Sequence, residues 1–212
     1  MEPVKPRRER PASRAKGERS TRERLLETSA RLFLDQGYHA TGVSTILAEA
    51  GVNAGSLYHF FPGKEELLTG VLEWYLDQLG PVVMAPAEAR TRDPVGRVFA
   101  LLDFYRAWIA GSDFGRGCPI GNLALELGTA YPAARALVER NFEAWTDAVA
   151  GWLEEARERF PRGTDPRALA VFVLTTMEGG VMLARARRSL EPFDAAVARL
   201  RDYFRLLERA AS

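Results

Sequence analysis

The chain has 212 residues, of which 47% are hydrophobic, and a formal net charge of +1, so it can form one large or two small domains with a buried core. Its single cysteine and two histidines exclude a disulfide framework and predict no metal site, and we expect no cofactor. The charged, proline-rich N-terminus lacks the apolar segment of a signal peptide, and the longest apolar runs are far shorter than the roughly 18 residues of a bilayer span. We therefore expect a cytoplasmic protein without a membrane partner.

Charge is distributed unevenly along the chain. Residues 1–24 carry nine basic and four acidic side chains, a net +5, so the remaining residues carry −4. The segment 1–19, rich in Arg, Pro and Glu, is typical of a flexible arm. A basic arm on a near-neutral body indicates a polyanionic partner, although a charged tail that only maintains solubility has the same composition.

Beyond residue 19 the apolar residues follow helical spacing, and no alternating segment predicts a strand. The first helix is expected to begin near Thr21, because Ser20 and Glu23 form a capping box, and to end at Gly37. Further helices are expected at about 43–50 with Thr41 as cap, 53–60 with Asn53 as cap, 64–79, 95–110, 122–128, 132–160, 166–188 and 192–207, with a polar loop over 86–94. The sequence thus predicts an all-α fold of about nine helices.

The segment 41–61, TGVSTILAEAGVNAGSLYHFF, has the pattern of a helix-turn-helix. Gly51 allows a tight turn without a Cβ penalty, and Val52, Leu57 and Phe60 are expected to point inward and fix the angle between the two helices. The opposite face of the second helix carries small or polar residues, which suit entry into a major groove. Many such helix pairs are only packing units, so the pattern alone leaves both interpretations open.

The longer stretch 24–68, which contains LFLDQGYHATGVSTILAEAGVNAGSLYHFFPGKEELL, closely resembles the DNA-binding domain of the tetracycline-repressor (TetR/AcrR) family. The resemblance implies a DNA-binding domain over 20–66, after the arm 1–19, and a helical ligand-binding and dimerisation domain over 67–212. It implies a homodimeric repressor of double-stranded operator DNA that an unidentified small molecule releases. The implied DNA-contacting residues are Thr41, Ser44, Thr45, Asn53, Ala54, Gly55, Ser56, Tyr58, His59 and Lys64.

The recognition helix departs from the commonest mode of base recognition. It has no Arg, Lys or Gln for bidentate contacts, and only Asn53 at its cap. We therefore expect base choice to depend on Ser44, Thr45, close backbone approach at Gly55 and DNA shape.

Aromatic residues concentrate in the expected helices 95–110 and 132–160. The resemblance implies a ligand cavity among the helices of the larger domain, although such a stripe is also typical of an ordinary core. The residues assigned to the cavity are Phe99, Phe104, Trp108, Cys118, Phe142, Trp145 and Met177.

The last expected helix carries apolar residues at alternating steps of four and three, as in a helix-bundle seam, and Gly179 and Gly180 in the helix before it permit close backbone approach. The resemblance makes these two helices the dimer interface, a four-helix bundle across a two-fold axis; the alternative is that they pack on their own chain. The residues assigned to the interface are Phe172, Thr176, Gly180, Leu183, Phe193, Val197, Leu200 and Phe204.

The segment RGCPIGNLALEL around Cys118 resembles one in a TetR subgroup that includes repressors responsive to electrophiles and oxidants. Arg116 and a helix N-terminus near Asn122 would favour the thiolate, so we expect electrophiles to modify Cys118 and release DNA. A buried, inert cysteine and a non-covalent ligand are the alternatives.

Two other functions are weighed against a repressor. A ligand-binding protein with a vestigial DNA-binding domain is disfavoured by the intact Tyr58 and Lys64. An enzyme with Cys118 as nucleophile is disfavoured because neither histidine lies in the larger domain and the sequence has no glycine-rich phosphate loop. We expect a regulator and not an enzyme.

Overall fold

The computed structural model describes residues 20–211, which form helices and connecting turns without a strand. The helices are α1 (Thr21–Gln36), α2 (Val43–Ala50), α3 (Ala54–Phe60), α4 (Lys64–Gln78), α5 (Ala85–Arg90), α6 (Pro94–Gly111), α7 (Pro119–Leu127), α8 (Pro132–Glu155), α9 (Pro166–Arg187) and α10 (Glu191–Ala211). The predicted all-α fold is confirmed. The arm predicted over 1–19 lies outside the described residues.

Local signals explain where the first helices begin. The Ser20 hydroxyl accepts a hydrogen bond from the Glu23 N–H at 3.2 Å, and the Glu23 carboxylate accepts one from the Ser20 N–H at 2.8 Å, so the predicted capping box is confirmed. Asn53 caps α3 by accepting from the Ser56 N–H at 2.8 Å, also as predicted. The cap predicted for α2 was wrong: Gly42 occupies the N-cap, while the buried Thr41 hydroxyl donates to the Gly37 carbonyl at 2.6 Å.

The predicted loop over 86–94 is helical in its first half. A π-helical turn over Leu79–Met84 continues α4 directly into α5, so the helical run does not end at residue 79 as predicted and passes through Pro81. The wider π turn accommodates a proline, which lacks an N–H and crowds the preceding turn of an α-helix. Met84 and Ala87 are buried, and their packing holds the segment against the body.

Two clusters of buried side chains form the core. The first joins α1 to α4 with α7 and the start of α8, and we call the part formed by residues 20–63 the head. The second joins α5 and α6 with the rest of α8, α9 and α10, which belong to the body. Helices α4 and α7 contribute to the first cluster and also contact helices of the body. The head is therefore packed directly on the body. The division at residue 66 stays a prediction.

Of the helices in residues 20–211, only α9 is long and apolar enough to cross a membrane by length and composition. It contains no uninterrupted apolar run of roughly 18 residues, because Thr175, Thr176 and Glu178 interrupt it. Its apolar face packs between α8 and α10, where Leu169, Val173, Met177 and Val181 are buried. A core helix of a globular domain has the same composition as a spanning helix.

Half of the predicted dimer interface lies in the core of the protomer. Phe193, Leu200 and Phe204 are each 1% exposed, and a Cβ at Gly180 would lie 2.8 Å from the Phe193 ring. These four assignments were wrong, because steps of four and three identify a buried helix face but not the chain that buries it. The other assigned residues differ: Phe172 and Leu183 are exposed, and Thr176 and Val197 are half-buried.

Candidate DNA-recognition surface and ligand cavity

The assigned DNA-contacting residues of α2 and α3 form one largely exposed surface, which we call the recognition surface. Tyr58, the largest of them, is 54% exposed. The N-terminus of α2 has no side-chain cap in the described structure, so its free N–H groups can bind a phosphate. The residues brought together here are Ser44, Thr45, Asn53, Ala54, Gly55, Tyr58 and His59, all exposed, and the half-buried Ser56.

The angle between α2 and α3 is fixed by a left-handed turn and a small core. Gly51 has φ +62°, a conformation that favours glycine. Leu57 is fully buried, but Phe60, which was expected to point inward, is 40% exposed. Helix α3 ends at Phe60 and the chain becomes extended, so Phe61 takes the inward position and is buried.

Two assigned residues are engaged inside the head. Thr41 is fully buried, so its side chain is not available to DNA in this structure and its assignment was wrong. The Lys64 ammonium donates to the Tyr38 carbonyl at 2.6 Å and lies 4.2 Å from the centre of the Tyr38 ring. Burial lowers the pKa of Lys64, against the opposing charge of Glu126, and burial together with Tyr131 raises the pKa of Tyr38 to about 12. Lys64 therefore holds the turn after α1, and its contact with phosphate stays a prediction.

Helix α7 connects the body to this same turn. Its Glu126 carboxylate accepts hydrogen bonds from the N–H groups of Tyr38 at 2.9 Å and His39 at 2.6 Å. In addition, the Arg116 guanidinium binds the Asp35 carboxylate through two hydrogen bonds of 2.6 and 3.1 Å. Sequence reasoning did not identify Glu126, because its partners lie 87 and 88 residues away along the chain.

A cavity of about 140 Å³ lies among α4, α6, α7, α8 and α9. Six of the seven residues assigned to a pocket line it, namely Phe104, Trp108, Cys118, Phe142, Trp145 and Met177. The assignment of Phe99 was wrong: its ring packs on Phe204 with 5.7 Å between centroids, and the Arg201 guanidinium covers it at 3.9 Å. The aromatic stripe is thus partly core and partly cavity wall.

The cavity wall also holds polar groups that sequence reasoning missed. Trp145 donates to the Tyr105 hydroxyl at 3.1 Å, and the Asn141 amide donates to the Leu72 carbonyl at 3.0 Å. Gln78 and Glu178 complete the polar part of the wall. A second, more open cavity of about 620 Å³ adjoins the first, and Cys118 and Glu178 line both. The sequence feature that could have identified these polar groups is an isolated polar residue on an otherwise apolar helix face, as at Asn141 on α8 and Glu178 on α9.

Cys118 is a buried thiol at the N-cap of α7. Its sulfur accepts a hydrogen bond from the Gly121 N–H at 3.5 Å. Burial, followed by the nearby Glu178 carboxylate, raises the pKa of Cys118 well above its usual value. The expectation of a stabilised thiolate was wrong, because Arg116 is paired with Asp35 and the environment of the sulfur is apolar and acidic.

This fold and the exposed second helix of the α2–α3 pair define a helix-turn-helix regulator with a separate helical body. Residues 25–71 match the family model of bacterial regulatory proteins of the tetR family. Residues 94–199 match the model of the LmrA/YxaF-like C-terminal domain of transcriptional regulators. The chain belongs to the TetR family of transcriptional regulators and carries a body of the LmrA/YxaF-like type. The predicted family, its DNA-binding regulatory function and the prediction that it is not an enzyme are confirmed.

Similar proteins support this assignment over most of the chain. An uncharacterized HTH-type transcriptional regulator of Mycobacterium tuberculosis is 31% identical over 191 residues, 85% of this chain and 92% of that protein. The HTH-type transcriptional repressor DhaR of Mycobacterium sp. is 31% identical over 175 residues, 82% and 86% of the two chains. The crystal structure of a TetR transcriptional regulator from Chloroflexus aurantiacus is 30% identical with a TM-score of 0.71, covering 86% of this chain and 93% of that one.

Proposed function

We propose that this regulator is a cytoplasmic, homodimeric repressor that a small molecule in the body releases from operator DNA. The observation that carries the proposal is the position of α7. Its first turn lines the cavity with Cys118 and Ile120, while Glu126 in its last turn binds the head. One helix therefore touches both the proposed site of the effector and the domain that binds DNA.

The recognition surface supports DNA contact through two kinds of groups. The free N–H groups of α2 and the exposed hydroxyl of Tyr58 suit phosphates, which position a protein on the duplex. The exposed side chains of Ser44 and Thr45 and the bare backbone at Gly55 can approach base edges. Since α3 offers few base-specific donors, a large share of the specificity comes from DNA shape.

A second copy of the chain fits the exposed apolar face of α9 and α10. Phe172 and Leu183 on α9 are 45% and 44% exposed, and Tyr203 and Leu206 on α10 are also exposed. The Phe172 and Tyr203 rings contact each other edge to face with 5.6 Å between centroids, so the apolar face is continuous across the two helices. Such a face favours a self-complementary contact across a two-fold axis.

Release follows if an effector and the operator favour different positions of the head. A ligand that enlarges the cavity displaces the first turn of α7, and the displacement reaches Tyr38 and His39 through the Glu126 carboxylate. The two heads of the dimer then no longer match two half-sites of the operator.

The proposed function is tested by a gel shift of the full-length protein with DNA from upstream of its own gene. We expect a specific complex that excess non-specific DNA does not displace, and its loss on addition of an effector from a compound screen. A protein that binds no upstream fragment, yet still binds small molecules, would instead be a ligand-binding protein with a vestigial head.

Replacing Tyr58 by Ala is expected to weaken operator binding about tenfold while the dimer stays intact. A hydrogen bond to a charged phosphate contributes on the order of 1.5 kcal/mol, which corresponds to about a factor of ten. Tyr58→Phe isolates the hydroxyl, and fluorescence anisotropy with operator DNA measures both variants. Wild-type affinity in Tyr58→Ala would exclude this residue from the interface.

Deleting residues 1–19, which carry a net +4, is expected to lower operator affinity and flatten its dependence on salt. The slope of log K against log [salt] becomes shallower by about 0.9 for every phosphate that the shortened protein no longer neutralises, because fewer counterions are released. Titrations of both proteins between about 50 and 200 mM salt measure the slope. An unchanged slope would show that the arm neutralises no phosphate.

A further inference from the structure

A half-buried glutamate of α9 lies between the two cavities. Glu178 lines both of them. Its Oε1 is buried and has no hydrogen-bond partner in the described structure. Its other oxygen, Oε2, lies against Gly121, where a Cβ would overlap it. The glycine on α7 thus provides the room that the carboxyl group occupies.

The surroundings of Glu178 offer no cation to pair with it within residues 20–211. Arg185, two turns further along α9, is bound to the Asn122 side chain and the Gly115 carbonyl. Glu143, on the rim of the second cavity, is paired with Arg167. The remaining titratable groups that line the cavities are Tyr75, Tyr105 and Cys118. Burial raises the pKa of Glu178, and a hydrogen bond with the Cys118 thiol opposes this rise. A net rise is the response of a carboxyl group without a counter-charge.

Apart from uncharged polar groups such as Gln78 and Asn141, the rest of the smaller cavity's wall is apolar and aromatic. Phe104, Trp108, Phe142 and Trp145 surround the smaller cavity on one side of Glu178. Aromatic faces attract cations as well as apolar groups. A carboxyl group that has only the Cys118 thiol as a hydrogen-bonding neighbour and no counter-charge, at the end of an aromatic cavity, is complementary to a molecule with an apolar body and one positive charge.

We propose that Glu178 is the recognition residue for a lipophilic amine, whose ammonium group binds Oε1 while its apolar part occupies the aromatic cavity. This inference rests on the proposed function, since it names the chemical class of the effector. When Glu178 is protonated in the empty protein, binding of an ammonium ion leaves a carboxylate–ammonium pair and releases the carboxyl proton to the solvent. A ligand carboxylate would meet a like charge, and a neutral alcohol would gain only an uncharged hydrogen bond.

Three probes of similar size distinguish these cases: phenylbutylamine, phenylbutanol and phenylbutyrate. Binding to the full-length protein without DNA is measured by quenching of Trp108 and Trp145 fluorescence and by calorimetry. We expect the wild type to bind the amine at least about tenfold more tightly than the alcohol, with phenylbutyrate weakest. In buffers of different ionisation enthalpy, calorimetry should show up to about one proton released per amine bound.

Glu178→Gln, which keeps the shape without the charge, should bind amine and alcohol equally. Glu143→Gln removes an exposed carboxylate from the cavity rim and should keep the wild-type preference. The proposal is overturned if the wild type binds the alcohol or phenylbutyrate as tightly as the amine, if Glu178→Gln retains the preference, or if none of the probes binds. A gel shift tests the proposed function separately. If an amine binds through Glu178 but leaves the operator complex intact, the amine site is supported and the proposed release of DNA by an effector at this site is contradicted.

Discussion

The double substitution Phe172→Glu and Leu183→Glu is expected to produce a folded monomer that has lost operator binding. Both side chains are exposed in the protomer, so the substitutions leave its core unchanged. Across a two-fold axis each substitution appears twice, and four carboxylates then face one another on a surface that must lose its water. A monomer contacts one half-site at a time, and the apparent affinity should fall at least about 100-fold.

Light scattering gives the mass, circular dichroism the helix content, and a gel shift the operator affinity. Leu125→Glu is the matched control, because Leu125 is 80% exposed and belongs to α7, not to α9 or α10. That variant should remain a dimer with wild-type operator affinity. If the double variant is still a dimer at micromolar concentration, the interface lies elsewhere on the protein.

A glutamate at Leu200 would have a different effect from one at Phe172. The periodicity of α10 predicts that both Leu200 and Phe204 are covered, and they are, by α6, α9 and other parts of the same chain. Because hydrophobic spacing reports burial and not the identity of the covering chain, the seam could not be assigned to a partner from sequence. Leu200→Glu is therefore expected to unfold the protomer, since it places an unpaired charge in the core.

The head could be predicted closely because its signals are local. The capping box at Ser20, the Asn53 cap and the positive φ of Gly51 are each determined within a few residues. The cavity was predicted from aromatic spacing together with the family resemblance, and it was identified only in part. Glu178 and Glu126 acquire their environments from helices far away in sequence, so no local pattern predicts their partners.

Replacing Glu126 by Ala is expected to uncouple the cavity from the head. The carboxylate is the acceptor for two backbone N–H groups in the turn after α1. Its removal leaves Tyr38 and His39 without these charge-assisted hydrogen bonds, each worth about 1.5 kcal/mol or more when shielded from water. Partial exposure reduces the total, and we expect a loss of about 2 kcal/mol in the free energy of unfolding. For a chain of this size that corresponds to a melting temperature lower by about 4–8 °C.

The effect on regulation should be larger than the effect on stability. Allosteric coupling in proteins changes affinity by about 5- to 150-fold, and in Glu126→Ala the ratio of operator affinities without and with a saturating effector should fall close to one. Effector binding itself should stay unchanged, because Glu126 does not line the cavity. Asp35→Ala is the control: it removes the partly exposed ion pair with Arg116, a second carboxylate contact between head and body. A surface pair of this kind contributes at most about 1 kcal/mol, so Asp35→Ala should retain release. If Glu126→Ala responds to the effector as the wild type does, the signal does not pass through the last turn of α7.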